Sequence, residues 1–324
     1  MSRAPAPGLA QAPLPSPGPA AAPPRRVLRR GQWYALAAIA IWSTNFAIGR
    51  QLRDSVTPGT IAAFRAAVAG VPLAAWLLLT QQRPRFGRRV VGWLGVLGIL
   101  GIFASQYLTY LALHWSLATN AIILNAASPL VTAGLAAAAG LFAVSRALFL
   151  GLTVSAAGAA VVTWLGASAG EEMRLDPGAI FVIASMVTWA FYNLGVQRLS
   201  EDLPPLWITA GAMLTGFPLL VAAIAVERPP HLMASLRDHL PVLIYLGIGP
   251  SAIAYACWNA AVRDLGAGVA MMFNNLLPLF GMLLGGLVLR ERITGVQVLA
   301  SGLIIGGIVI AYRALPDRSQ TGSR

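Results

Sequence analysis

The amino-acid sequence predicts an all-α integral membrane protein of ten transmembrane helices arranged as two inverted five-helix repeats. Three observations carry this. The 324 residues are 57% hydrophobic and only 10% charged, with a mean hydropathy of +0.70, whereas soluble domains carry about 25% charged residues. Apolar runs of about 20 residues, the length that crosses a hydrocarbon core about 30 Å thick, recur along the chain. The second half repeats features of the first at a spacing of 146 to 149 residues.

The ten runs lie near residues 32–50, 58–80, 90–112, 119–141, 147–166, 178–198, 205–226, 240–261, 267–289 and 295–313. They lack the period-2 alternation of barrel strands and are too long for them, so each is expected as a helix that satisfies its own backbone groups. The linkers are short and leave no room for a soluble domain. Residues 1–31 are expected as a disordered N-terminal tail, because the Pro/Ala-rich stretch 1–24 cannot form a core. Residues 314–324 form the C-terminal tail. The first apolar run is long enough to span and has no small-residue cleavage pattern after it, so it reads as a retained helix rather than a signal peptide.

The net charge of +12 rests on 23 basic residues, all arginine. In this context they read as topology signals and not as a nucleic-acid surface. With a cytoplasmic N-terminus, fifteen arginines fall on the inner side and seven on the outer, and Arg65 lies within a span. The bias places both termini in the cytoplasm. The single cysteine, Cys257, sits inside the eighth run, so neither a disulfide framework nor a metal cluster is expected, and no cofactor is predicted.

Alignment of the halves sets Trp42–Leu52 (WSTNFAIGRQL) against Trp189–Leu199 (WAFYNLGVQRL), and Tyr107, Tyr110 and Ala112 against Tyr255, Trp258 and Ala260. The repeat units are residues 32–166 and 178–313. Five helices per unit is an odd number, so the second copy enters the membrane from the opposite side. Inverted repeats of this kind can exchange conformations and so alternate access to a site near the midplane where they meet.

Within the fourth and ninth runs the patterns LNAASPLV (124–131) and FNNLLPLF (273–280) set Asn125 four residues before Pro129 and Asn274 four before Pro278. A helical proline removes a donor and frees the carbonyl four residues earlier, here those of Asn125 and Asn274. In lipid such a break is tolerated where it lines an interior. Ser128 has the chemistry of an N-cap ahead of Pro129, which would open a half-helix suited to a carboxylate. The alternative is a pair of packing kinks.

A set of aromatic and polar residues converges at helical spacing: Trp42, Asn45 and Phe46; Gln106 and Tyr110; Trp189, Tyr192 and Asn193; Trp258 and Asn259. With Asn125 and Asn274 they describe an apolar-aromatic pocket with a few polar groups, the usual character of a small-molecule site. Arg65 is an intramembrane charge. It fits either a substrate carboxylate or a structural pairing with Glu291 or Asp54. GxxxG patterns at Gly281–Gly285 and Gly302–Gly306 read as close helix packing or a dimer contact. Thr294 and Gln297 match a capping box that starts the tenth helix.

The succession PGTIAAFR at Pro58–Arg65, the Pro129 and Pro278 helices, and the ending LLGGLVLRERITGVQVLASGLIIGGIVIAY resemble the duplicated EamA-type domain of the drug/metabolite transporter superfamily. The resemblance covers residues 32–313. The glutamate typical of the family stands at Glu291 in the second copy, while its counterpart in the first is Phe142. The resemblance implies a multi-pass secondary transporter of the bacterial inner membrane, a monomer or homodimer whose partners are a small-molecule substrate and the lipid bilayer, not nucleic acid. It implies export of small metabolites, with amino acids, aromatic or broad in range, as the leading class, and sugars, nucleosides or drugs as alternatives. An intramembrane enzyme is disfavoured, because His114, His231 and His239 all fall near span ends with no serine nucleophile beside them. Apart from Glu291, every acidic residue is placed in a loop, so facilitated flow or exchange is expected rather than proton-driven pumping.

Overall fold

The structure is a computed structural model, and it describes residues 25–79, 87–115, 118–140, 145–165, 177–288 and 294–314. The first repeat comprises α1 (Arg25–Leu52), α2 (Pro58–Leu79), α3 (Arg88–Trp115), α4 (Ala118–Asn125, resuming as Ser128–Ala138) and α5 (Arg146–Leu165). The second comprises α6 (Gly178–Leu199), α7 (Pro205–Glu227), α8 (Leu240–Leu265), α9 (Ala267–Met272, a 3-10 turn at Phe273–Leu276, then Leu277–Val288) and α10 (Gly295–Arg313). A short helix, Leu232–Asp238, joins α7 to α8 and buries none of its residues.

Among the described residues nine helices are long and apolar enough to cross a membrane. The tenth, α1, is 28 residues long, about 42 Å at 1.5 Å per residue, but it is more polar. Its second half carries Trp42, Ser43, Thr44 and Asn45, and the Ser43 and Thr44 hydroxyls are satisfied by the carbonyls of Ala40 and Ile41 one turn back.

The packing obeys a two-fold exchange of the halves. Helix α2 packs on its counterpart α7, and α5 on its counterpart α10. The pair α1–α8 is matched by α6–α3, and α1–α9 by α6–α4. Both α3 and α8 contain one π-helical stretch, Gly98–Ala104 and Gly247–Ile253, at equivalent places in the repeat. A π-turn carries an extra residue and widens the helix. In α8 the Ser251 hydroxyl donates to the Leu246 carbonyl, five residues back (3.0 Å).

The α5–α10 crossing is backbone against backbone. A Cβ on Gly307 would lie 2.4 Å from the Ser155 nitrogen, and one on Gly158 would lie 2.7 Å from the Ala300 carbonyl oxygen. This corrects the reading of the GxxxG patterns as packing within the bundle, though not as a dimer contact: Gly281, Gly302 and Gly306 face open space. Helix spacing alone marks a small-residue stripe, but the neighbour decides which stripe is covered. The capping box at α10 is present, with the Thr294 hydroxyl accepting the Gln297 N–H and the Gln297 side chain accepting the Thr294 N–H.

Polar contacts tie the repeats together at both ends. At the end bearing the chain termini, Arg30 of α1 donates to Asp264 of α8 (3.0 and 3.3 Å), and Arg263 donates to the same carboxylate (3.0 Å). At the opposite end, the Glu227 carboxylate of α7 accepts the Gly59 N–H at the start of α2 (2.9 and 3.1 Å), where the helix dipole favours an anion.

Replacing Gly307 by leucine is expected to cost about 3 kcal/mol or more, since its obstacles are backbone atoms that cannot turn aside. A lowered melting temperature and folded yield in detergent would report it. Gly302→Leu on the same helix is the control and is expected to leave both unchanged.

Candidate functional site

A cavity of about 580 Å³, the open space at its mouth included, lies between the repeats. Helices α1, α2, α3, α4, α6, α8 and α9 all contribute to its wall. Most of its polar residues sit about two turns from the end opposite the termini: Asn45 near the close of α1, Arg65 near the opening of α2, Asn125 on α4 and Ser185 on α6. The cavity is therefore displaced toward that end.

Arg65 is the charged residue of the wall and is only 2% exposed. Its Nε donates to the Ser251 hydroxyl (2.9 Å), and its Nη1 donates to the Asn45 side-chain oxygen (2.9 Å) and to the Tyr110 hydroxyl. Tyr110 donates in turn to the same Asn45 oxygen (2.9 Å), and its ring centroid lies 5.3 Å from the guanidinium carbon. Three helices, α1, α3 and α8, thus supply one cation with neutral partners. Among the described residues Arg65 makes no ion pair. The pairing with Asp54 is not formed, because Asp54 contacts Arg53 at the surface instead (3.4 Å). Glu291 and Phe142 lie outside the described residues.

Toward the terminus-bearing end the cavity is floored by aromatic rings. Trp42 meets Trp189 and Tyr255 edge-on, each at 5.5 Å, and Trp258 at a tilt at 5.2 Å, and Trp189 stacks on Tyr192 at 4.9 Å. Such offset and edge-to-face contacts stabilise the cluster beyond the apolar area it buries. Trp42 is fixed by donating its indole N–H to the Pro250 carbonyl (2.8 Å), and Tyr255 by donating to the Gly101 carbonyl (3.2 Å). Both acceptors belong to the π-helical stretches. A widened helix thereby offers side chains the carbonyls that anchor the floor.

Of the residues singled out from the sequence, Trp42, Asn45, Gln106, Asn125, Trp189 and Asn274 line the cavity. Tyr110 stands just behind, joined to Arg65. Tyr192, Asn193, Trp258 and Asn259 are fully buried one layer below the floor and bond to one another and to the scaffold. Tyr192 donates to Asn259 (3.0 Å), Trp258 to Asn193 (2.6 Å) and Asn259 to Thr209 (2.9 Å). The side chain of Phe46 lies outside the described residues.

The breaks in α4 and α9 fall where the prolines place them, with Asn125 and Asn274 on the cavity wall. Two expectations are corrected. The Ser128 hydroxyl does not cap the half-helix. It donates to the Asn125 side chain, and the N-cap position is Ala127 with no side-chain cap. The Asn274 carbonyl is not left free either, since the 3-10 turn lets it accept the Leu277 N–H. Tightening the turn is the cheaper way to satisfy a carbonyl in an apolar setting.

The cavity also uses Ser105, Thr109, Ser185, Met186, Tyr255 and Leu277, which the sequence reading did not select. Thr109 and Ser185 bond to each other (2.8 Å) and back to the Ser105 carbonyl. Hydroxyls on apolar helices carry little signal, since most satisfy themselves on their own backbone. Tyr255 was findable as the repeat counterpart of Tyr107.

The comparisons agree with this architecture. A model described as the EamA-like transporter family matches residues 29–164 and 176–313, one match per repeat. The uncharacterized transporter YyaM of Bacillus subtilis (strain 168) is 25% identical over 259 residues, covering 79% of this chain and 84% of that protein. The probable terminal-alkyne amino-acid exporter of Streptantibioticus cattleyicolor is 26% identical over 305 residues, covering 91% and 98%. A solved crystal structure shares the fold with a TM-score of 0.71 at 22% identity, over 91% of this chain and 99% of that one. Both halves match the same family across nearly the whole membrane region, and the chain belongs to the EamA-like transporter family of multi-pass membrane transporters.

Proposed function

We propose that this chain is a secondary transporter that carries small amino-acid-like metabolites out of the cell across the bacterial inner membrane, alternating access to the cavity between the repeats. The observation that carries this reading is the position of the cavity. It lies at the interface of two exchangeable halves, displaced toward one membrane face and floored by the Trp42, Trp189 and Tyr255 cluster on the way to the other. An inverted pair converts one such arrangement into its mirror by swapping the conformations of its halves. With both termini cytoplasmic, the cavity here belongs to the outward-facing arrangement, with the Arg30–Asp264 contact on the closed, inner side.

The amino-acid class is supported by the cavity chemistry, an aromatic floor beside a few polar groups and one guanidinium, and by the name of the Streptantibioticus relative. The reading is tested with purified protein in liposomes, by following labelled amino acids, sugars and nucleosides. Substrate-dependent movement of an amino acid is the expected result, whereas release of a chemically altered product without movement would favour an enzyme.

In the same liposomes Trp42→Ala and Trp189→Ala are each expected to weaken apparent substrate affinity by about tenfold, as loss of a central aromatic contact does. Unchanged affinity in well-folded variants would return both rings to a purely structural role.

No described acidic side chain lines the cavity, so energy is expected to come from the substrate gradient itself by facilitated flow or exchange. Flux should proceed without an imposed pH gradient, and Glu291→Gln should leave its direction and final extent unchanged. Accumulation against the gradient that is driven by protons and lost in Glu291→Gln would contradict this.

A further inference from the structure

We propose that the cavity selects its cargo by a carboxylate, held by Arg65, and does not require an amine. The proposal rests on the transport reading above and narrows its substrate class. A guanidinium inside a membrane protein needs compensation, and Arg65 receives only part of it. Nε and Nη1 are spent on Ser251, Asn45 and Tyr110, and among the described residues Nη2 has no partner. The side chain is 98% shielded yet borders the cavity.

The neighbours add donors and no countercharge. Arg65 can only donate, so it fixes the Asn45 amide with its oxygen inward, and Tyr110 fills the same oxygen. The Asn45 Nδ2 is left as a second donor without a partner among the described residues. Gln106 spends its own Nε2 on Tyr255 (2.7 Å), which leaves Oε1 as a neutral acceptor. No aspartate or glutamate lines the cavity among the described residues. A carboxylate therefore meets a charge-assisted donor, roughly twice as strong as a neutral one, while an ammonium meets at most neutral acceptors. The apolar part of the cargo lies against Trp42, Trp189 and Tyr255.

The test uses three probes that share one side chain: L-phenylalanine, N-acetyl-L-phenylalanine and L-phenylalaninamide, with the leucine series run in parallel. Binding to the purified full chain is read as thermal stabilisation in detergent, and movement is read as flux in liposomes. Both acids of at least one series are expected to stabilise the protein, with the amide at least about tenfold weaker. Arg65→Gln should remove the preference for acid over amide, and Arg65→Lys should keep part of it. If Arg65→Gln does not fold, the comparison of probes on the unaltered protein decides. The proposal is overturned if the amide binds as well as the acid, if the N-acetyl compound fails where the free amino acid binds, or if no acid of either series binds. Binding of the acids with no flux of any compound would remove the transport reading and leave the carboxylate site. Equal flux of acid and amide would do the reverse.

Discussion

Burial of the Arg65 guanidinium is the constraint around which the first repeat is organised. A cation 2% exposed in the membrane interior is tolerated only where protein dipoles replace water, and here those dipoles come from α1, α3 and α8. Asn45, Tyr110 and Ser251 are held in place by the same bonds that hold the arginine. The Ser251 hydroxyl is available at this depth because it sits in a π-helical stretch and is itself braced against the Leu246 carbonyl. Losing any one partner would leave a buried charge short of a bond, which is costlier than losing an ordinary neutral hydrogen bond.

The second repeat shows what the same architecture does without the charge. The Tyr110–Asn45 bond between α3 and α1 has its counterpart in the Tyr192–Asn259 bond between α6 and α8. The residue types have exchanged places between the paired helices, yet the tyrosine still donates to the asparagine oxygen. On the α2 side a guanidinium joins this pair. On the α7 side the neutral hydroxyl of Thr209 does so. The neutral triad is sealed under the aromatic floor with no exposed atoms to speak of, and the charged one borders the cavity. Two halves with one fold therefore differ at this point: one buries its triad, and the other sets its triad beside the cavity.

Much of the fold was legible in the sequence because lipid imposes strict rules. Helices must be long, apolar and internally bonded, so the spans, the duplication and the breaks at Pro129 and Pro278 could be read from composition and spacing. The face that each helix turns inward was harder. A helix that is apolar all round has no hydrophobic stripe, so Asn193 and Trp258, which pair beneath the floor, could not be told from Trp42 and Asn45, which line the cavity. The π-helical stretches were invisible for a related reason. The contacts their carbonyls accept, from Trp42 at Pro250 and from Tyr255 at Gly101, join residues 208 and 154 positions apart. The glycine stripes failed likewise, because Gly302 and Gly307 differ only in what lies opposite them.

The unequal halves bear on how the carrier moves. In the proposed cycle, closing the empty cavity at the Arg65 end would shut off from solvent the space beside an already buried guanidinium, and an incompletely compensated charge in such a place is unfavourable. Closing the neutral end carries no such penalty, because Tyr192, Asn193, Trp258 and Asn259 satisfy one another. In that proposed cycle an empty molecule would favour the arrangement seen here, with the cavity open at the Arg65 end. If Arg65 takes the cargo's carboxylate, binding supplies the missing compensation and lowers the cost of occluding that end. Substrate would then act as the counter-ion that permits the conformational exchange, coupling movement to occupancy through the electrostatics of one buried side chain and with no titrating carboxylate in the wall.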